Sequence, residues 1–263
     1  MTADDALVLE RSVGHVRVIT LNRPAALNSV HADLAVALSQ AVDRFQADPD
    51  ARVAVITGTG RAFCAGADLK AIARGEDTLL PGHPELGFAG LTQRTLTKPL
   101  VAAVNGLALG GGAELVLACD LAVMSEDAEL GLPEVARGIF PGGGGAIRLP
   151  QQVPLKLAME KLLTGDRISA AEAQAWGLVN VVTPADDVVS TALDLAGRIA
   201  RNSPQSVRVT RELALAAAGA GSPWADVVWA RNSELNETIP FTEDALEGAR
   251  AFVERRLPVW QLR

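Results

Sequence analysis

The sequence predicts an α/β core with a largely buried sheet, followed by a region built from helices. Up to about residue 150, apolar β-branched segments alternate with segments of helical periodicity, as in an α/β protein. Beyond residue 154 the segments are rich in alanine and leucine and are typical of almost continuous helix. A chain of 263 residues suits one core of this kind. We therefore assign residues 1–200 to the core and residues 201–263 to the helical region.

The strands are predicted from aliphatic and β-branched runs that end in glycine, proline or asparagine. Such runs cover residues 14–22, 52–57, 98–104 and 121–124. One helix is predicted over residues 31–46, where the apolar side chains recur at helical spacing.

A second helix is predicted from Gly111 to Ala118. Ser169 and Glu172 form the pattern of a capping box, which predicts a helix that ends at Trp176-Gly177. The remaining helices are predicted near residues 186–201, 204–218, 223–237 and 243–256. Between the second and third strands, residues 75–90 form an unusually long loop, which we expect to shape a binding pocket.

Composition excludes several classes of protein. The chain is 49% hydrophobic, which excludes disorder, and its net charge of −7 without a basic run disfavours nucleic-acid or anionic-membrane partners. Its two cysteines, Cys64 and Cys119, are too few for a disulfide framework. Residues 1–5 are acidic and resemble no signal peptide, and no apolar stretch approaches the ~20 residues of a membrane helix. We expect a soluble cytoplasmic protein.

Several familiar catalytic motifs are absent from the sequence. It contains no phosphate-binding G-x-x-x-x-G-K-[ST], no H-E-x-x-H and no G-x-S-x-G, and its glycine runs do not fit G-x-G-x-x-G. The histidines His15, His31 and His83 are scattered over different elements, whereas a metal site needs convergent ligands. We predict no metal site.

Glycines at a strand-to-helix junction precede the first candidate carboxylate. Residues 110–112 are all glycine, so a ligand can approach the backbone closely. The N–H groups in the first turn of the following helix lack internal partners. Glu114 lies three residues after Gly111 on the same helical face, and burial among residues 115–117 would raise its pKa. Hydrogen-bond donors beside such a carboxyl suit the stabilisation of an enolate; the alternative is a solvent-facing acid in a tight turn.

A second glutamate, Glu134, follows Pro133 in a short predicted helix that Gly138 ends. It too could be an ordinary first-turn acid. The glycine run 142–145 offers further exposed amides. In the turn over residues 61–70, an N–H near Ala67 could supply a second donor, with a lysine close by for a phosphate.

Together these segments resemble the crotonase, or enoyl-CoA hydratase/isomerase, superfamily. The resemblance covers essentially the whole chain and is carried by seven segments: N-R-P-A-A-L-N at 22–28, A-F-C-A-G-A-D-L-K at 62–70, N-G-L-A-L-G-G-G-A-E-L at 105–115, L-P-E-V-A-R-G-I-F-P-G-G-G-G at 132–145, L-L-T-G at 162–165, A-E-A at 171–173 and W-G-L-V at 176–179. It implies a spiral of ββα units with a helical C-terminal region that builds homotrimers or homohexamers.

The resemblance also implies roles for individual residues. The backbone N–H groups of Ala67 and Gly111 would form an oxyanion hole for a thioester carbonyl. Glu114 and Glu134 would be the two catalytic acids, and the amide of Gly142 would hold the reacting water. Contacts with CoA are implied for Arg23, Ala65, Ala67, Asp68, Leu69, Lys70 and Gly111. The substrate would be an acyl-CoA thioester, and no metal or redox cofactor is implied.

Because both acids are present, the expected activity is that of an enoyl-CoA hydratase, with Leu132 replacing a glutamine common in hydratases. Three alternatives remain open. Residues 87–92, 243–248 and 255–260 resemble the carnitinyl-CoA dehydratase branch, which hydrates crotonobetainyl-CoA. A Δ3-Δ2 enoyl-CoA isomerase would use mainly Glu134, and a non-catalytic member would only bind acyl-CoA.

Overall fold

The computed structural model describes residues 6–75 and 80–261. Its main sheet has six strands, numbered along the chain, which lie side by side in this order: β1 (Val8–Val13), β2 (Val16–Leu21), β3 (Val53–Gly58), β5 (Leu100–Val104), β7 (Leu121–Ser125) and β10 (Val181–Thr183). β1 and β2 form an antiparallel hairpin, and every other neighbouring pair in this sheet is parallel.

A smaller sheet of four short strands lies against the first. Its order is β4 (Ala62–Cys64), β6 (Leu107–Leu109), β8 (Glu129–Gly131) and β9 (Ile168–Ser169). The first three strands are parallel, and β9 pairs antiparallel with β8. The loops that leave β4, β6 and β8 carry the three sequence motifs that contain the candidate site residues.

Ten α-helices occupy the described part of the chain: α1 (Ala32–Ala47), α2 (Leu69–Ala73), α3 (Gly111–Ala118), α4 (Gly145–Gln152), α5 (Leu155–Thr164), α6 (Ala170–Ala175), α7 (Val188–Ala200), α8 (Pro204–Gly219), α9 (Asp226–Thr238) and α10 (Glu243–Glu254). Short 3-10 turns cover Pro24–Ala26, Pro84–Leu86, Pro133–Arg137, Ala185–Asp187 and Ile239–Phe241. No helix among these residues is long and apolar enough to cross a membrane.

The main sheet is covered on both faces, which explains why its central strand is a continuous apolar run. Every residue of β3 is buried. Ala54 and Ile56 point into the larger apolar cluster, which also holds α1 and the small sheet. Val53 and Val55 point the other way, against the small side chains that line one face of α7. The small sheet is thereby held at a fixed position relative to the main one.

The predicted α/β fold class is confirmed. The four predicted strands are present, and α3 has the predicted bounds. The first of those strands begins only at Val16, because Gly14 forms the hairpin turn with φ of +56°. The expectation of almost continuous helix after residue 154 was wrong at β9 and β10, because both segments pair with strands of the core. Residues 1–5, and residues 76–79 of the long loop, lie outside the described residues.

The C-terminal helices bury little of their apolar surface within one chain. α8 and α9 contain no buried residue. α10 is attached to the chain before α8 by a hydrogen bond of 2.8 Å from the Ser203 hydroxyl to the Asp244 carboxylate. Large apolar side chains of this region are 74% to 85% exposed: Trp224, Val227, Phe241, Phe252 and Val253.

Candidate active site

Two carboxyl side chains are buried beside the N-terminal end of α3. Glu114 lies in the first turn of that helix and is 3% exposed, and Glu134 lies in the 3-10 turn Pro133–Arg137 and is 8% exposed. The alternative of two solvent-facing first-turn acids is therefore excluded. Carboxyl groups are rarely buried unless they are hydrogen-bonded or have a chemical role.

The Glu114 carboxylate is held by the glycine turn that precedes α4. The Gly145 N–H donates to Glu114 Oε1 at 2.9 Å, and the Gly143 amide is a further donor. A Cβ atom on Gly143 would lie 2.4 Å from Glu114 Oε2, so only glycine allows this approach. Burial raises the pKa of Glu114, while the two amides and the positive charge of Arg148 act against that rise.

The Glu134 carboxyl has fewer partners. Its turn begins at Pro133 and ends at Gly138, which adopts the left-handed conformation, as the sequence predicted. Glu134 Oε2 is buried and has no hydrogen-bond partner among the described residues. Burial raises the pKa of Glu134, and the negative charge of Glu114 raises it further.

Glycine is also needed between α3 and Glu134. Gly110 has φ of +54°, and a Cβ atom there would lie 3.1 Å from Glu134 Oε1. This close approach brings the Glu134 carboxyl against the same glycine segment that starts α3. The two carboxyls are close enough for the charge of Glu114 to act on Glu134, so their ionisations are coupled.

Two residues that line the neighbouring space have backbone N–H groups free of helix and bridge hydrogen bonds. Gly111 is the first residue of α3, so its N–H has no partner within the helix. Ala67 pairs with Val30 as an isolated parallel β-bridge. The two hydrogen bonds of this bridge are made by the residues on either side of Ala67: Val30 N donates to Gly66 O and Asp68 N donates to Val30 O, both at 2.8 Å. The Ala67 N–H consequently points away from Val30. A Cβ atom on Gly66 would lie 3.1 Å from Gly111 N, so the two segments are in close contact.

Ala67, Gly111 and Glu134 line a cleft of about 110 Å³, whereas Glu114 does not line it. Its walls include five residues that the resemblance singled out, namely Ala65, Ala67, Leu69, Gly111 and Glu134, and two that it did not, Arg137 and Ile139. A carboxyl group thus faces the same space as two potential hydrogen-bond donors. That arrangement can stabilise negative charge on an oxygen while a proton is transferred close by.

Other predicted site residues lie outside this cleft wall. The Asp68 carboxylate caps α2 by accepting from Lys70 N at 3.0 Å and Ala71 N at 3.2 Å, and Arg23 Nη1 donates to it at 2.7 Å. Asp68 and Arg23 therefore hold the start of α2. The Lys70 side chain is exposed, and Gly142 is exposed at the outer part of its glycine turn.

Besides Arg137 and Ile139, two further residues of the site were missed from the sequence. Phe88 packs against α3, since a Cβ atom on Gly111 would lie 2.3 Å from its ring. Arg148 contacts the glycine turn 142–145 through Gly143 O, and its positive charge favours the ionised form of Glu114. The Gly-Phe-Ala-Gly run at 87–90 could have suggested a tight turn around Phe88. No local signal marks Arg148.

Comparison with known proteins adds independent information. The sequence profile of the enoyl-CoA hydratase/isomerase family matches residues 11–263. A carnitinyl-CoA dehydratase from Salmonella typhi is 41% identical over 262 residues, which is 98% of this chain and 98% of that protein. A protein of the same name from Proteus mirabilis (strain HI4320) is 41% identical over 94% of this chain and 95% of its own.

Solved structures resemble the chain over similar lengths. The crystal structure of an enoyl-CoA hydratase from Mycobacterium tuberculosis H37Rv has a TM-score of 0.91 and 42% identity, covering 98% of this chain and 99% of its own. That of a carnitinyl-CoA hydratase from Mycobacterium avium has a TM-score of 0.79 and 45% identity, with the same coverage.

Proposed function

Because the chain belongs to the enoyl-CoA hydratase/isomerase family, we propose that it is a hydro-lyase that interconverts a 3-hydroxyacyl-CoA and a trans-2-enoyl-CoA. The observation that carries the proposal is the pair of buried glutamates, Glu114 and Glu134, beside the N–H groups of Ala67 and Gly111. For the substrate we propose carnitinyl-CoA, whose dehydration gives crotonobetainyl-CoA. Relatives named carnitinyl-CoA dehydratase, 41% identical over almost the full length, support this choice.

A general hydratase of short enoyl-CoA esters is the second candidate. It is supported by the similarity to a structure named enoyl-CoA hydratase, with a TM-score of 0.91. Both candidates use the same site chemistry, and they differ in the acyl group that the cleft accepts.

The two backbone donors would act on the thioester carbonyl. Its oxygen would accept hydrogen bonds from the N–H groups of Ala67 and Gly111 and gain negative charge as the enolate forms. Donors that are fixed before the reaction stabilise this charge, and each typically contributes about 10²–10³ in rate. Since both groups belong to the main chain, their positions depend on the backbone and not on a side-chain rotamer.

The two carboxyls would move the protons. In hydration, Glu114 accepts a proton from water as the oxygen bonds to C3, and the proton held by Glu134 is delivered to C2. Dehydration reverses each transfer. Glu114 is the better base because two amides and Arg148 favour its ionised form. Glu134 is the better proton donor because burial and the charge of Glu114 favour its protonated form.

The turn at residues 142–145 and the region around α2 complete the proposed complex. The exposed amide of Gly142 would contact the reacting water. Ala65, Ala67, Leu69 and Gly111 would contact CoA along the cleft, while Lys70 would reach a phosphate, and Arg23 and Asp68 would hold α2 in place. Since the reaction transfers only protons and water, we propose no metal or redox cofactor, and CoA enters as part of the substrate.

The proposal is tested by following the absorbance of the conjugated enoyl thioester after adding purified protein to crotonobetainyl-CoA and, separately, to crotonyl-CoA. Loss of absorbance with crotonobetainyl-CoA and much slower loss with crotonyl-CoA is the expected result. Efficient turnover of crotonyl-CoA alone would instead support the general hydratase. Deuterium uptake at the α or γ carbon without hydroxyl formation would identify an isomerase.

The site itself is tested with matched variants. Glu134→Gln removes the proposed proton donor, whereas Glu160→Gln alters an exposed glutamate on α5 and should leave turnover unchanged. If the unaltered protein binds both esters tightly and turns over neither, the hydro-lyase proposal is wrong and a non-catalytic acyl-CoA-binding protein is supported.

We also propose that the protein is a homotrimer or homohexamer. The exposed apolar side chains of the C-terminal helices, such as Trp224 and Phe252, support association with further copies of the chain. Light scattering should give a mass three or six times 27.4 kDa. A monomer mass at dilute concentration would contradict this.

A further inference from the structure

Arg148 makes contacts with two separate segments of the site. It lies on α4, three residues after the glycine turn, and it is half-buried. One of its guanidinium nitrogens, Nη2, donates to Thr92 O, in the segment that carries Phe88. The other, Nη1, lies 3.4 Å from Gly143 O. Arg148 therefore connects the segment that supports Gly111 with the turn that holds Glu114.

The glycine turn is shaped around this guanidinium. Gly144 has φ of +111°, and a Cβ atom there would lie 2.0 Å from Arg148 Nη1. A side chain at this position would displace the guanidinium. The same turn presents the Gly145 N–H to Glu114, so a displacement of Arg148 would also move the amide that holds the carboxylate.

The charges around Glu114 make Arg148 important for its ionisation. Arg148 on α4 is the cation that favours the Glu114 carboxylate, and the charge of Glu114 in turn favours the protonated, neutral form of Glu134 on the neighbouring 3-10 turn. Arg137 acts on Glu134. An opposite charge close to a buried carboxyl favours its ionised form by an amount equal to about one to three pKa units.

We infer that Arg148 is a positioning residue that keeps Glu114 ionised and in place as the base of the proposed reaction in its hydration direction. This rests on the proposed function, because it assigns Glu114 the role of base. Arg148 itself would not touch substrate, since it does not line the cleft of Ala67, Gly111 and Glu134. Its loss should therefore affect kcat and its pH dependence more than KM.

The test compares Arg148→Gln and Arg148→Lys with Arg198→Gln, which alters an exposed arginine on α7. For Arg148→Gln we expect kcat for hydration at neutral pH to fall at least about tenfold and the acidic limb of the pH profile to move to higher pH, because the loss of an opposite charge raises the pKa of a carboxyl. Arg148→Lys keeps the charge but not both contacts. Its limb should stay in place while kcat falls, and Arg198→Gln should match the original protein.

A second readout does not depend on turnover. The Glu114 carboxyl carbon can be titrated by NMR in protein labelled with ¹³C-glutamate, with Glu114→Gln used to assign the signal. The midpoint should rise in Arg148→Gln. An unchanged midpoint in a folded Arg148→Gln would overturn the inference even if no substrate were turned over, and a shifted midpoint in Arg148→Lys would overturn it where Arg148→Gln fails to fold.

Discussion

The two glutamates of the site are both buried, but their surroundings differ. Around Glu114, the turn 143–145 supplies amide donors and Arg148 supplies a positive charge. Around Glu134, one carboxyl oxygen has no partner among the described residues, and Glu114 adds a like charge. Two acids of the same type are thereby given different tendencies to hold a proton. The difference shows how the fold can assign a base and an acid without changing the residue type.

The largest expected effect comes from removing either carboxyl. Glu114→Gln and Glu134→Gln should each lower kcat by about 10²–10⁴, since a positioned proton transfer contributes that much. Because the two groups act in one reaction, the double variant should lose much less than the product of the two single losses. Steady-state kinetics of the three variants, with binding of the CoA ester measured separately, tests this. Strictly multiplicative losses would show that the carboxyls act independently.

A smaller effect is expected from crowding Glu114 without removing it. In Gly143→Ala the new Cβ atom would lie 2.4 Å from Glu114 Oε2 and would displace the carboxylate. A misplacement of about 1 Å can cost about 10² in rate. In the control variant Gly197→Ala, on α7, the Cβ atom would meet no atom outside that helix within 4 Å, so kcat should change little. Equal losses in both variants would contradict the geometry described for this turn.

The pH dependence of kcat should distinguish Glu114 from Glu134. In the hydration direction the rate should rise as Glu114 loses its proton and fall again as Glu134 loses its own, which gives a bell-shaped kcat profile. Burial raises the pKa of each group above its ordinary value of 4.5, so both limbs should lie above that value. Glu134→Gln should remove the alkaline limb and keep the acidic one. An acidic limb at the pH of an exposed glutamate would show that Glu114 is not the titrating base.

The smallest effect concerns stability. The folded state binds the Glu134 proton more tightly than the unfolded state does, so the stability it contributes at low pH is lost as pH rises through its raised pKa. Because glutamine does not ionise, Glu134→Gln removes this loss of stability at higher pH. It should raise the free energy of unfolding at neutral pH by about 1 kcal/mol. Denaturant unfolding should show no such gain at acidic pH, where Glu134 is protonated in both states; a gain of equal size at acidic pH would point to another cause.

The sequence predicted most of the local structure of the site. The bounds of α3, and the turn from Pro133 to Gly138, follow from glycine and proline positions that act within a few residues. The pairing of β10 with β7 was missed because it depends on a strand almost sixty residues away. For the same reason Arg148 was not found: its partner, Thr92, lies 56 positions earlier in the chain.

The role of Asp68 shows a different limit. The resemblance groups it with residues that contact CoA, yet its carboxylate accepts hydrogen bonds from two amides of α2 and from Arg23. An aspartate before a short helix has the residue type of a cap as well as that of a ligand. Only the three-dimensional arrangement shows which partners its oxygens have.

The contact between α3 and β4 leaves no room for a side chain, since a Cβ atom on Gly112 would lie 1.9 Å from Cys64 O. The backbone of Gly112 therefore packs directly against the backbone of Cys64, and this contact fixes the distance between the nearby residues Ala67 and Gly111. A point mutation can delete a side chain, but only a substitution by proline removes a backbone N–H. The proposed oxyanion site is consequently protected from most single mutations, while side chains such as Leu69 and Ile139 are free to change with the acyl group. A new substrate can then be acquired without redesigning the chemistry.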